Sequence, residues 1–213
     1  MDDFQKRSFA QVVVDKDGHP LRAFSDSQGV WRYPVDLTEV SPLYLEALIN
    51  YEDRYFYQHF GINPFAMIRA FGQWIWHGEL VSGASTSTMQ VSRILKPHKK
   101  TLFGKLGQMF RALQLEWHYD KDQILSYYVN YAPFGGTIEG VQAASFAYFG
   151  KTAKDLTHSE AALLAVMPQS PSRFRPDRFP KKAQKARDKL LNRMLDFNIW
   201  SQQIVTESKD EQV

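Results

Sequence analysis

No cysteine occurs among the 213 residues, which excludes disulfides, thiol nucleophiles and thiolate metal sites but leaves the redox compartment open. No stretch approaches the ~18 consecutive apolar residues that a membrane-spanning helix needs. Met1 is followed by the polar DDFQKR rather than by an apolar signal segment, so the chain reads as soluble or peripheral. There is no internal repeat, and neither basic run sits in a nucleic-acid-binding motif, so nucleic acid is not an expected partner. Excess charge is small: 26 Lys and Arg against 23 Asp and Glu leave +3. That excess is local, in KPHKK at 96–100 and RFRPDRFPKKAQKAR at 173–187. Such runs are ordinarily solvated faces, although either could meet an anion. What is plentiful is apolar matter, 44% of the residues with 14% aromatic, enough for one substantial core.

Start and stop signals divide the chain into helices. AQVVVDKDGHPLRAF reads as a hairpin turning on Asp17-Gly18. Ser41 and Pro42 open a helix that places Leu45, Leu48, Ile49 and Glu52 on one face. Asn63-Pro64 opens another running to Gly78, and Thr86 to Leu95 a third. From Leu102 to Tyr119 a longer helix carries the apolar stripe Leu106, Met109, Phe110, Leu113 and Trp117. Asp120 with Gln123, and Thr157 with Glu160, make capping boxes before two more helices. APFGGTIEG is a glycine-rich turn, Pro168 to Pro180 an irregular loop, and Lys181 to about Phe197 the last helix. The expected fold is mainly α with a short β-hairpin in front. The hairpin and linker take residues 1–34, the helical domain 35–200, and a polar tail 201–213.

Two stretches carry more polar chemistry than packing needs. Glu52 lies on an apolar helical face, where a charged carboxylate costs several kcal/mol unless paired. It is either an ion-pair partner of Arg54, Arg69 or another cation, or an acid or base perturbed by burial. It opens EDRYFYQHFG, a crowd of acid, aromatic and imidazole groups that favours the second reading. His59 has no second histidine at metal-site spacing, and a helix-terminus hydrogen bond is the better assignment. In GASTSTMQVSR, Ser85, Thr86 and Gln90 gather at a helix N-terminus, where backbone N–H groups attract anions, with Arg93 one turn on. A phosphate or sugar site is expected there. Glu116 reads as structural. The aromatic set Phe71, Trp74, Ile75 and Trp76 fits either a core or a membrane interface.

EDRYFYQHFG, GASTSTMQ, KDQILSYYVN and AASFAYFGK resemble, in order and spacing, the signature stretches of the peptidoglycan glycosyltransferases. HPLRAFSDSQGVWRYP, RALQLEWH and MPQSPSRFRPDR are similar to the 1C-type class A penicillin-binding proteins in particular. The resemblance implies a lysozyme-like helical fold that polymerises lipid II into glycan strands at the periplasmic face of the bacterial inner membrane. It implies Glu52 as the general base, Arg93 and Lys105 as pyrophosphate-binding residues, and Asp53, His59, Ser85, Thr86, Gln90 and Gln108 as substrate-binding positions. It further implies a divalent ion, magnesium or manganese, assisting as it does in relatives, moenomycin-type inhibitors that compete with the growing strand, and the membrane surface as a partner. One departure stands out: where many relatives carry a second glutamate in an arginine-lysine-x-x-glutamate pattern, GKLGQ has Gln108, which puts a second-carboxylate role in doubt. The serine-x-x-lysine and lysine-threonine-glycine motifs of the transpeptidase partner domain are not found, so penicillin binding is not expected. The missing N-terminal anchor leaves an excised piece or a free-standing variant. A lytic enzyme of the lysozyme type, or a non-catalytic lipid II-binding scaffold, is the competing expectation.

Overall fold

The computed structural model describes residues 10–14, 16, 20–65, 67–69, 85–98 and 101–212. It is mainly helical, as the start and stop signals imply. Strands β1 (Gln11–Val14) and β2 (Pro20–Phe24) pair antiparallel, Gln11 opposite Phe24 and Val13 opposite Arg22, with an irregularity after Val13. The helices that follow are α1 (Pro42–Glu52), α2 (Ser87–Leu95), α3 (Leu102–His118) and α4 (Lys121–Tyr131). A second small ladder joins β3 (Pro133–Gly135) to β4 (Ile138–Glu139). Then come α5 (Val141–Phe149), α6 (His158–Val166), α7 (Pro180–Asp196) and α8 (Gln202–Asp210). Residues 64–65 and 67–69 are helical, as Asn63-Pro64 predicts. The remainder of the expected helix to Gly78, with Phe71, Trp74, Ile75 and Trp76, lies outside the described residues, as does the expected turn at Asp17-Gly18.

The chain forms two units, one of Met1–Tyr51 with Val129–Val213 and one of Glu52–Tyr128. The first is organised around α6, whose residues Ser159 and Ala161 to Val166 are all buried. A helix apolar on every side belongs inside a core. Its entry is fixed by the predicted capping box: Thr157 Oγ1 accepts from the Glu160 amide at 3.3 Å and Glu160 accepts from the Thr157 amide at 2.8 Å. Leu190, Leu191 and Met194 of α7 and Val205 of α8 complete this core. Asn130 substitutes for a strand partner, accepting from the Val35 amide at 2.9 Å and donating to its carbonyl at 3.0 Å. Helix α5 ends on Gly150 at φ 68, a left-handed cap that a side chain would strain.

Two features differ from the sequence expectation. The polar segment from 201 onward contains α8, so Lys181–Phe197 is not the last helix; Ser201 caps α8, and Val205 and Ser208 are buried. Its C-terminal end is held by Arg187, which is fully buried. The guanidinium donates to the carbonyls of Lys209 (3.1 Å) and Glu211 (2.7 Å), to Ser159 Oγ (3.0 Å) and to Asp188 (2.9 Å). A cation on the last carbonyls of a helix satisfies groups that have no partner within it. An Arg in a lysine-rich segment gives no hint that it alone turns inward.

The second difference concerns α3. Most of the apolar stripe, which a globular helix ordinarily turns to a core, is exposed: Leu106 52%, Phe110 63% and Trp117 79%, with Phe103 at 84%. The buried face instead carries Gln108, Ala112 and Leu115. Periodicity separates the two faces of a helix but does not say which is covered. Here the small Ala112 permits a close backbone approach. Gly61, at φ +74, lies so near that a Cβ there would sit 2.8 Å from the Ala112 carbonyl oxygen.

Replacing Arg187 by methionine should leave the Lys209 and Glu211 carbonyls and Asp188 without their donor. We expect a loss of about 3–5 kcal/mol, typical of breaking a buried charged network. Urea unfolding should show a lower midpoint with an unchanged slope.

Candidate active site

Every described residue of the expected site lies in the unit Glu52–Tyr128, and helix α2 organises them. Thr86 caps it as predicted: its hydroxyl accepts from the Met89 amide at 3.1 Å and donates to the Gly61 carbonyl at 2.7 Å. The helix stops before Pro97, whose ring disfavours a helical residue ahead of it. Ser87, Thr88, Met89, Val91 and Ser92 are buried, an unusually polar set for an interior face, and the Ser87 amide and the Thr88 and Ser92 hydroxyls are engaged.

Three residues, Asp53, Glu116 and Gln108, hold α2 in place. The Ser87 amide donates to Asp53 Oδ2 at 2.9 Å, and the same oxygen lies 2.8 Å from His59 Nε2. The Nδ1 of His59 is buried without a partner. Because the Asp53 carboxylate can only accept, the hydrogen between the two side chains belongs to Nε2. Thr88 Oγ1 donates to Glu116 Oε1 at 2.6 Å, and Lys121 Nζ donates to the same oxygen at 2.7 Å and to the His59 carbonyl at 2.6 Å. The Glu116 side chain is only 4% exposed, so the pair is a buried one, in accord with the structural role expected of Glu116. Finally Gln108, 3% exposed, donates through Nε2 to the Met89 carbonyl, and its own carbonyl accepts from Ser92 Oγ at 3.2 Å.

Within this frame α2 supports two functional groups. Gln90 Nε2 donates to Glu52 Oε2 at 2.6 Å, orienting the carboxylate at the end of α1. Lys105, from α3, donates to Ser85 Oγ just ahead of α2 and to Gln108 Oε1 at 3.1 Å. Burial pushes the Lys105 ammonium below its usual range, and the charge of Arg93 pushes it further the same way. Arg93 itself is exposed.

The structure thus brings Glu52 and Gln90 together, and Ser85, Lys105 and Gln108, with the Arg93 charge acting on Lys105. Asp53, His59, Thr86 and Gln108 have polar atoms directed at protein partners and build the frame. Gly83 lies outside the described residues, as do Lys99 and Lys100. Sequence reasoning missed Thr88 and Lys121 as parts of the frame. The available signal was the second face of α3, where Gln108, Ala112, Leu115 and Glu116 recur at helical spacing.

A divalent cation does not fit the lysine end of this site. The described donors there are the neutral oxygens of Ser85 and Gln108, beside two cations. No group of three or more His, Cys, Asp or Glu side chains that could hold a metal exists among the described residues. Magnesium and manganese call for carboxylate oxygens, and Asp53 already accepts from His59 and Ser87.

The model of a family described as transglycosylase matches residues 17–195. The chain belongs to the transglycosylase family. Penicillin-binding protein 1C of Escherichia coli (strain K12) is 56% identical over 204 residues, 96% of this chain and 26% of that protein. Penicillin-binding protein 1F of Bacillus subtilis (strain 168) is 38% identical over 185 residues, 86% of this chain and 26% of that protein. The crystal structure of penicillin-binding protein 1A from Haemophilus influenzae superposes with a TM-score of 0.56 at 21% identity, covering 97% of this chain and 21% of that one. That likeness concerns the fold, which is the one expected of a transglycosylase. The chain spans about a quarter of the length of these relatives.

The lowered Lys105 gives a pH test. Only the protonated amine attracts an anion, so affinity for inorganic pyrophosphate should fall as pH rises, beginning below the ordinary lysine value of 10.5. Calorimetric titration should show this decline in the native chain. In Lys105→Arg it should be absent over the same range, because arginine stays charged.

Proposed function

We propose that this transglycosylase chain polymerises lipid II into glycan strands, with Glu52 as general base and Lys105 and Arg93 as the cationic receptor for the leaving diphosphate. The observation that carries this reading is that one helix serves both ends of the reaction. Gln90 on α2 bonds Glu52, and Ser85 just before α2 bonds Lys105. Ser85 lies just ahead of the N-cap Thr86 and Gln90 one turn inside the helix, so a single helix N-terminus is bonded both to the proposed base and to the proposed cation.

The chemistry follows from the groups. The 4-hydroxyl of the acceptor sugar attacks the anomeric carbon of the donor while Glu52 takes its proton. The bond from that carbon to the phosphate oxygen breaks, the α-linkage inverts to β, and undecaprenyl pyrophosphate departs. A diphosphate needs no proton to leave, so one carboxylate suffices, and the protein's further task is to offset charge. Residues 35–200 are the part of the chain we assign to this activity.

The apolar face of α3 supports attachment to a bilayer on the periplasmic side of the inner membrane. Phe103, Leu106, Phe110, Leu113 and Trp117 are exposed along some fourteen residues, about 20 Å of helix, a length suited to lying in an interface. No helix among the described residues is long and apolar enough to cross a membrane.

Purified chain given lipid II in detergent should lengthen glycan, and Glu52→Gln should reduce this at least a thousandfold, roughly the whole contribution of a base, while thermal unfolding and lipid II binding persist. Moenomycin should compete. Glycan cleavage, or binding without polymerisation by the native chain, would overturn the reading in favour of a lytic enzyme or a scaffold. For the membrane assignment, Phe103→Ser, Phe110→Ser and Trp117→Ser combined should abolish co-sedimentation with phospholipid vesicles without changing the fold.

A further inference from the structure

Gln108 occupies the place where a carboxylate would change the charge of the site, and its amide does what a carboxylate cannot. Lys105 Nζ can only donate, so the side-chain oxygen of Gln108 must face it, and the NH2 then faces the Met89 carbonyl. Both directions are therefore determined. A glutamate there would meet the Met89 carbonyl oxygen with an acceptor instead of a donor, and it would pair with Lys105 and cancel its charge. With glutamine, the two described partners of the Lys105 side chain, Ser85 and Gln108, are neutral, and a second cation acts on it. The local charge is already that of an anion receptor, and it repels a metal ion.

Resting on the proposed function, we infer that Gln108 is a positioning residue that fixes Lys105 as an unneutralised cation, so that the departing diphosphate is held by Lys105 and Arg93 without a protein-bound divalent ion. The lysine is steadied from one side by Ser85, at the start of α2, and from the other by an amide that is also bonded into α2. Its position is thereby tied to the same helix that orients Glu52.

The test uses the full chain with Gln108→Glu and Gln108→Met, the latter close in volume and lacking both bonds. Manganese binding is followed by electron paramagnetic resonance without lipid II, and polymerisation is measured in chelator and in magnesium. The native chain should leave the manganese signal unchanged, and its rate should differ by less than about twofold between chelator and magnesium. Gln108→Glu should bind manganese. Its rate in chelator should fall by about tenfold or more, the scale of one charge-assisted hydrogen bond, and should recover partly with the metal. Gln108→Met should be slow in both media and bind none, which separates loss of positioning from gain of a metal ligand. Manganese binding by the native chain, or loss of its activity in chelator, would overturn the inference even if neither variant folds. So would a Gln108→Glu enzyme as fast as the native one in chelator. Absence of polymer from the native chain in every medium would instead remove the functional reading on which the inference stands.

Discussion

The bond from the Ser87 amide to the Asp53 carboxylate is the contact on which the site depends. Asp53 follows Glu52 directly in the chain, so anchoring the first turn of α2 on Asp53 brings that helix to Glu52, the proposed base. The amide belongs to the open N-terminal turn, where backbone donors lack partners within the helix. A carboxylate is the natural acceptor for it, favoured by the helix dipole as well as by the hydrogen bond. Neighbouring carboxylates thereby take different parts. Asp53, 8% exposed and bonded to both His59 and Ser87, belongs to the frame; Glu52, half-buried as a residue, has its carboxylate oriented by Gln90.

The frame is polar throughout, and this makes its geometry specific. Apolar contacts tolerate small slips, but a buried hydroxyl or carboxylate that loses its partner costs a substantial part of a domain's stability. Thr86 is bonded to Gly61, Thr88 to Glu116, and Gln108 to Met89. Any slide of α2 along α3 would break several of these together. Gly61 adds a steric condition, since only a residue without Cβ allows the 61 backbone to pass so near Ala112. The Glu116–Lys121 pair carries the same logic outward, because Lys121 also bonds the His59 carbonyl and so ties the frame back to the segment that holds Asp53.

Much of this architecture is legible in the amino-acid sequence. Helix starts at Pro42, Thr86 and Thr157 follow from capping chemistry, which is local and therefore readable. The α2 hydroxyls and Glu52 stand out because a simple core would not need them. What escapes is what depends on partners distant in the chain. The stripe on α3 has the right period and the wrong environment. Arg187 is one basic residue among many until its carbonyl partners are known. Lys121 looks like a solvated first-turn lysine and is in fact the cation of a buried pair. Gln108 is visible as a departure from a pattern, but its bond to a carbonyl in the first turn of α2 is a tertiary fact.

The electrostatics of the lysine end bear on how such a site distinguishes a transition state from a bound substrate. Burial and the neighbouring arginine both act against the Lys105 charge, so the ligand-free site holds a cation at a cost. An anion placed between the two cations relieves that cost, and the relief grows with the negative charge it carries. In the proposed reaction, charge accumulates on the departing diphosphate as the bond to the anomeric carbon stretches, so the interaction would strengthen along the reaction instead of remaining constant. A carboxylate beside Lys105 would remove the cost in advance and with it the difference between ground and transition states. Neutral partners such as Ser85 and Gln108 orient the lysine while leaving that difference intact.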